Sequence, residues 1–375
     1  MTVTQQATQQ ATQQATEQPG RARTARTLVD ADIHPTALAP HIAARLAPGH
    51  RRRWEMFGSR VLAPPEIYPR VRNAGFRADA WPPGGFPGSD LGMVRDQLLD
   101  EFDVDHGVLI PLQGHSWGME APEYAAALCG ALNTWLREEW LDPEPRLRSS
   151  IAVPHEAPDL AAAEIRRHAD DPGFVQVLLS TGAELSLGRR NYWPIYAAAA
   201  EAGRPIAAHT GGLAQHRSAG WPSFYLEEHV WNGNTMASLL TSFLLEGVFE
   251  EFPSLQLVLV EGGIAWAGPL LWALDQAWAR LREDVPHLRR PPSEIVREHV
   301  WFTTQPIEEP EDPAHLEIAL RHLDMDDRIL FASDYPHWDF DSPRHAPRAF
   351  PSAIRDTVMG ANACRLYGLP ARESR

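Results

Sequence analysis

Four side chains, far apart in the chain, have the types and positions of a cation site. Asp32 and His34 close the segment Asp30-Ala31-Asp32-Ile33-His34. His209 closes Ile206-Ala207-Ala208-His209, just before Thr210-Gly211-Gly212. Asp334 follows the apolar run Ile329–Ser333 and opens Asp334-Tyr335-Pro336-His337-Trp338. Side chains alternate along a strand, so Asp30, Asp32 and His34 share one face. Three polar groups on an inward face cannot be hydrophobic core; they need a metal, a proton network or water. Each signal alone has an ordinary alternative. The first segment could end early in a turn, His209 could be a satisfied structural histidine, and Asp334 could cap a helix or turn. Together, two imidazoles and two carboxylates make a workable site for one divalent ion. Zinc is the first expectation, with manganese or ferrous iron as alternatives.

The elements that must position these groups are eight short apolar segments, most followed by a helical stretch. They are 27–32, 107–111, 149–154, 174–179, 205–209, 255–260, 300–304 and 329–333. Val, Ile and Leu runs alternating with helices at 91–102, 124–141, 159–169, 193–202, 236–249, 269–282 and 313–322 argue for a parallel sheet buried on both faces. Eight such units predict a distorted (β/α)8 TIM-type barrel, with a doubly wound open sheet as the runner-up. All four candidate ligands then stand at C-terminal strand ends, the rim where barrel chemistry is done.

Residues 1–26 carry an ATQQ repeat and read as a disordered polar tail ahead of one barrel domain, 27–375. A long insertion, 35–90, follows the first strand. It is dense in Pro, Gly and aromatics, including Trp54, Phe57, Tyr68, Phe76, Trp81 and Phe86, and reads as a lid or pocket wall.

Composition narrows the chemistry. The chain has 375 residues and a formal net charge of −15, which disfavours nucleic acid as a partner. No apolar run reaches the ~20 residues of a membrane span, and no secretory signal is visible. Two cysteines, Cys129 and Cys364, make neither a disulfide framework nor a Cys-rich zinc site, so a reducing cytoplasm is expected. All 34 basic residues are arginine. An internal Schiff base, a Walker A loop and a carboxylated-lysine metal bridge are therefore excluded. Anions fall to arginine: Arg51, Arg52, Arg53, Arg70, Arg72 and Arg77 lie in the insertion, most of them on a solvated surface and one free to reach the pocket.

The strand-one motif, the strand-five histidine and the strand-eight segment Ser333-Asp334-Tyr335-Pro336-His337-Trp338-Asp339 resemble the amidohydrolase superfamily. The similar branch is the amidohydrolase-2 group related to aminocarboxymuconate semialdehyde decarboxylase. The resemblance runs from about Leu28 to about Leu369. It implies a distorted barrel with one catalytic divalent metal. By position, the family's D-x-H-x-H motif is here Asp30-x-Asp32-x-His34, so the first ligand histidine is an aspartate, as in several aromatic-acid decarboxylases of the branch. His209 would be the strand-five ligand, and Asp334 would bind the metal and move protons. The decarboxylases usually carry a histidine after strand six, where this chain has Glu261-Gly262-Gly263. Glu261 could replace it as general acid or base if burial raises its pKa toward neutrality, or could accept hydrogen bonds from nearby backbone. The catalytic residues expected are thus Asp334, Glu261 and His209.

Two reactions follow on a small, aromatic or carboxylate-bearing molecule. One is hydrolysis of an amide, lactone, ester or activated C–C bond by a metal-activated water. The other is non-oxidative decarboxylation of an aromatic or unsaturated acid. A non-catalytic binding barrel is the third reading. Other residues placed near the mouth are His155, His216, Trp221, His229, Trp231, Gln305, His337 and Trp338, with His337 orienting a ligand. Thirteen tryptophans either pack the insertions or line an aromatic pocket. Family members often dimerise, which adds a homodimer to the expectations.

Overall fold

Eight parallel strands run in sequence order around one sheet: β1 (Val29–Ile33), β2 (His106–Leu109), β3 (Leu147–Ala152), β4 (Phe174–Ser180), β5 (Ile206–His209), β6 (Leu257–Val260), β7 (Val300–Thr303) and β8 (Ile329–Leu330). The computed structural model describes residues 26–57, 72–118, 120–211, 222–345 and 350–372. The glutamine-rich tail, Arg70, His216 and Trp221 lie outside the described residues. Among the described residues no helix is long and apolar enough to cross a membrane.

Alternation along the strands builds two buried layers. Ile206, Ala208, Leu257, Leu259, Val300 and Phe302 pack outward in one cluster with helix residues such as Phe243, Leu244, Ile295 and Val296. Ala207, Val258, Val260 and Trp301 belong to a second cluster, with Val108 and Ile110. His209 shares its strand face with Ala207, so the same pleat that buries Ile206 and Ala208 against helices turns His209 inward. Near the C-terminus, Tyr367 donates to Gln176 Oε1 at 2.7 Å, and Gln176 donates to Ser150 Oγ at 2.9 Å.

The sheet closes between β8 and β1. Ala31 N donates to Phe331 O at 2.9 Å and His34 N to Tyr335 O at 2.8 Å. The regular part of β8 is shorter than the expected 329–333. Beyond it the backbone leaves the ladder because Asp30 captures Ser333: the carboxylate accepts from Ser333 N at 2.9 Å and from Ser333 Oγ at 2.5 Å. Two residues on, Asp30 also accepts from Asp32 N at 3.2 Å. Burial of this carboxyl dominates and pushes its pKa up to about 7, against the hydrogen bonds from Ser333 and Asp32.

The insertion after β1 contains two helices, Ala39–Arg45 and Pro48–Phe57, where loop was expected. Proline sits in the first turn of each, a position that needs no N–H and suits its fixed φ. The end of the insertion lies against the strand-eight loop. Phe76 bridges His337 in antiparallel fashion, Arg77 N donates to Pro336 O at 3.0 Å, and Trp338 N to Gly75 O at 2.8 Å.

Candidate functional site

The structure brings the four sequence-predicted ligands to one place at the C-terminal rim. Asp30, Asp32, His34, His209 and Asp334 are all at most 2% exposed. Ligand atoms of Asp32, His34 and His209 lie within 4.8 Å of one another, and so do those of His34, Asp334 and His337. His34 joins the two groups: its Nε2 is 2.7 Å from Asp334 Oδ1 and 3.3 Å from Asp32 Oδ1. The His34 and His209 rings meet edge to face with centroids 5.1 Å apart.

Backbone carbonyls decide which nitrogens face the centre. His34 Nδ1 lies 3.0 Å from Ile110 O, and His209 Nδ1 lies 2.5 Å from Thr210 O. A carbonyl only accepts, so each Nδ1 carries a proton, and in the neutral ring Nε2 keeps its lone pair. Both Nε2 atoms nevertheless point at carboxylates. His209 Nε2 is 3.1 Å from Glu261 Oε2 and 3.7 Å from Asp32 Oδ2, aligned with neither as a hydrogen bond. Both Asp32 oxygens are buried without a hydrogen-bond partner among the described residues. Lone pairs on imidazole and carboxylate repel unless positive charge lies between them. Protons on the histidines or a divalent cation would supply it, and the donor set with Nδ1 anchored on carbonyl oxygens fits a cation. In the bare protein burial lowers the His209 pKa, but the Asp32 and Glu261 carboxylates outweigh it and hold it well above the ordinary histidine value.

Glu261 stands directly after β6 with φ +61°, and Asp334 after β8 with φ +58°. Both are non-glycine residues in the left-handed region, a cost that clusters at functional sites. Glu261 accepts from Thr210 Oγ1 at 2.8 Å and from Asn232 Nδ2 at 3.4 Å, while its own N–H donates to Thr303 Oγ1 at 3.1 Å. The expected rise of its pKa toward neutrality is corrected here. Burial and the nearby Asp334 push it up, but the close approach of the His209 imidazole, aided by the charge of His337, prevails and holds Glu261 below the usual glutamate value. In the bare protein this favours the carboxylate form of Glu261.

His337 Nδ1 lies 2.5 Å from Asp334 Oδ1, and its ring is stacked on Phe76 with centroids 4.9 Å apart. Burial would lower this histidine, but the Asp334 carboxylate overrides it and raises the pKa to about 9. His229 sits farther out, 3.0 Å from Asp339 Oδ2, and Gln305 donates to the same carboxylate at 2.8 Å. Trp338 is 55% exposed and donates to Tyr225 Oη at 2.9 Å.

Three arginines of the insertion make structural contacts. Arg51 donates to the carbonyls of Ala43, Ala44 and Leu46 at the end of one helix. Arg53 lies over the Tyr124 ring, and Arg77 pairs with Asp79 at 2.7 Å over the Phe340 ring. One rim residue escaped the sequence reading. His115, in the helical turn Gln113–Trp117 after β2, is buried with its ring centroid 5.2 Å from that of His209. Its signal was the position just beyond an apolar strand, which the other rim histidines share.

A family model described as amidohydrolase matches residues 29–369. A gamma-resorcylate decarboxylase of Rhodococcus jostii is 25% identical over 304 residues, 75% of this chain and 88% of that protein. One from a Polaromonas species is 24% identical over 323 residues, 79% and 94% of the two chains. Solved structures share the fold. An amidohydrolase from Mycobacterium avium subsp. paratuberculosis superposes with a TM-score of 0.71 at 22% identity, covering 92% of this chain and 99% of that one. A dihydroxybenzoic acid decarboxylase from a Polaromonas species, with bound manganese and the inhibitor 2-nitroresorcinol, gives 0.63 at 20% identity over 92% and 97%. The chain belongs to the amidohydrolase family, in its amidohydrolase-2 branch, and is a metal-dependent hydrolase or carboxy-lyase.

Proposed function

We propose that this protein is a metal-dependent carboxy-lyase that removes carbon dioxide from a small aromatic acid. The observation that carries the reading is the rim cradle: the Nε2 atoms of His34 and His209 and the Asp32 carboxylate, which has no hydrogen bond among the described residues, lie together with Asp334 beside them. The relatives that align along most of the chain are decarboxylases of an aromatic acid, which favours this reaction over hydrolysis.

Asp32, His34, His209 and Asp334 would hold the ion. Their two nitrogens suit zinc, the ion first expected, and their two carboxylates suit manganese, the ion held by the decarboxylase relative. A divalent cation held by these residues would supply Lewis-acid polarisation of the substrate. The chain's own residues supply the rest. The Asp334–His337 pair holds the proton that the ring carbon must gain as its bond to the carboxylate breaks. Glu261, anchored by Thr210 and Asn232, fixes the His209 ring and keeps negative charge beside it. Phe76, stacked on His337, supports the insertion as a wall of the pocket that keeps bulk water from the proton-holding pair.

A second reading rests on Glu261 itself. An ionised carboxylate 3.1 Å from His209 Nε2 could accept a proton from water, which suits hydrolysis of a lactone, ester or amide. The deciding experiment loads the purified protein with manganese or zinc and offers hydroxybenzoates on one side and lactones, esters and amides on the other. Carbon dioxide release that stops on chelation supports the carboxy-lyase. Hydrolysis without carbon dioxide release selects the second reading. Unchanged activity after full chelation overturns both.

The proposal includes a homodimer. Phe224, Leu226 and Val230 are 73%, 75% and 65% exposed on and beside one short helix, an apolar face that a second copy would cover. Sedimentation of the full chain tests it. A reducing cytoplasm is the location proposed, in keeping with two unpaired cysteines, one of them buried.

A further inference from the structure

A cavity of about 350 Å³ opens at the end of the barrel opposite the cradle, lined by Arg148, Asp170, Pro172, Val175, Arg204 and Leu369 among others. Arg148 is the second residue of β3, Val175 the second of β4, and Arg204 stands two residues before β5. The cavity therefore lies at the N-terminal ends of the strands. Five positions separate Arg204 from His209, ~17 Å at roughly 3.3 Å per residue, so it is no part of the rim site. Because β4 runs between β3 and β5, the two arginine backbones stand two strand spacings apart, ~10 Å, with Val175 between them.

Each guanidinium is anchored to backbone through one nitrogen. Arg148 Nη1 donates to Pro145 O at 2.8 Å and to Leu147 O at 2.7 Å. Arg204 Nη2 donates to Ala169 O at 3.1 Å and to Asp171 O at 3.3 Å. The other nitrogens of both forks have no acceptor among the described residues, and Arg204 Nε is buried. Neither arginine forms an ion pair among the described residues; the Asp171 carboxylate is taken by Arg137 at 3.1 Å. Both arginines are half-buried, and burial lowers the pKa of each. Capping a turn accounts for one nitrogen of each fork and would be met by a neutral amide. It does not account for two cations drawn half out of water at one cavity without a paired counter-charge.

We propose that Arg148 and Arg204 form a binding site for a small monocarboxylate at the N-terminal end of the barrel. The inference is independent of the reaction assigned to the rim. Charge sets the class of ligand. Two guanidiniums against the one Asp170 carboxylate leave a single positive charge, which a monoanion neutralises and a phosphate dianion or dicarboxylate exceeds. Geometry sets the head group, because a guanidinium held in place with free N–H groups matches a planar carboxylate. Pro172, Val175 and Leu369 offer apolar surface to a short hydrocarbon body.

The test is calorimetric titration of the full chain at constant ionic strength with butyrate and with butanol, first loaded with manganese and again after chelation and dialysis; inorganic phosphate is offered to the chelated form. A carboxylate held by a rim ion is lost with the ion, whereas binding at the strand starts should keep its affinity within about twofold. Butanol shares the hydrocarbon body and lacks the charge, so it should bind at least about tenfold more weakly. Arg148→Gln and Arg204→Gln should each weaken butyrate at least about tenfold. Asp170→Asn, at an exposed position, should tighten butyrate on the order of threefold. A purely structural role for the arginines would leave that last variant unchanged. The site is overturned if butyrate does not bind the chelated protein, if butanol binds as well, if phosphate binds more tightly than butyrate, or if butyrate affinity survives in both glutamine variants. Should the glutamine variants fail to fold, Asp170→Asn decides, and no tightening there overturns the site.

Discussion

Removing the cation should lower the melting temperature, and removing one donor should abolish that dependence. The reason is the cradle's charge. Asp32 is fully buried with no hydrogen-bond donor on either oxygen among the described residues, and His34 and His209 aim Nε2 at carboxylates. An ion that binds only the folded chain stabilises it by ~2.7 kcal/mol when its concentration is about 100 times Kd. Unfolding entropy of ~2.1 cal/mol/K per residue, over roughly 350 folded residues, is ~0.7 kcal/mol/K, so the melt should rise by ~4 °C. His209→Ala removes one donor and should weaken affinity at least about 100-fold, the upper end of what even outer-shell changes cause. At the same ion concentration only ~0.4 kcal/mol remains, a shift of ~0.6 °C. The assay is scanning calorimetry on chelated protein titrated separately with manganese and zinc. The quantity compared is the increment between the bare and loaded forms of each variant, which cancels any packing defect left by the alanine. No increment for wild type with either ion, or the full increment kept by both His209→Ala and Asp32→Asn, would refute the cradle.

Glu261→Gln should keep the metal and lower turnover by less than about tenfold under saturating substrate, as suits a group that positions His209; a loss of about 10²- to 10⁴-fold would make Glu261 the proton-transfer group of the hydrolytic reading instead. Gly118→Ala should lower stability by about 1–3 kcal/mol in a thermal or denaturant melt, because its Cβ would meet His155 Nδ1 at 2.4 Å and Val153 O at 2.9 Å. Glu144 should weaken the fold in acid. Hydrogen bonds from Arg146 and Arg95 outweigh burial and hold its pKa at about 2 against an ordinary 4.5. Its contribution is therefore complete above pH 4.5 and lost as pH falls toward 2. After solvent screening on the exposed arginine side it is on the order of 2 kcal/mol, read as the difference in acid unfolding between wild type and Glu144→Gln.

The strands and the four cradle residues were legible for the same reason. A parallel strand buried on both faces must be a short Val, Ile and Leu run, so a polar side chain at its end stands out, as His209 does after Ile206-Ala207-Ala208. The signal fails where the chain leaves the ladder. His115 lies past Pro111 in a helical turn, so no pleat marked its direction. Helix Ala39–Arg45 was hidden by a proline that reads as loop punctuation but here occupies a first turn. The length of β8 depended on Asp30, which stands about three hundred positions earlier and takes Ser333 out of the ladder. Protonation was least legible of all. Burial argued for a raised Glu261 pKa, yet the neighbour that holds it down is His209, contributed by a different strand. Side-chain identity and strand position are local, so one chain discloses them. The sign of a charge at the barrel rim is a property of five or six strand ends at once, and only closure of the sheet between Ala31 and Phe331 brings those ends into a single field.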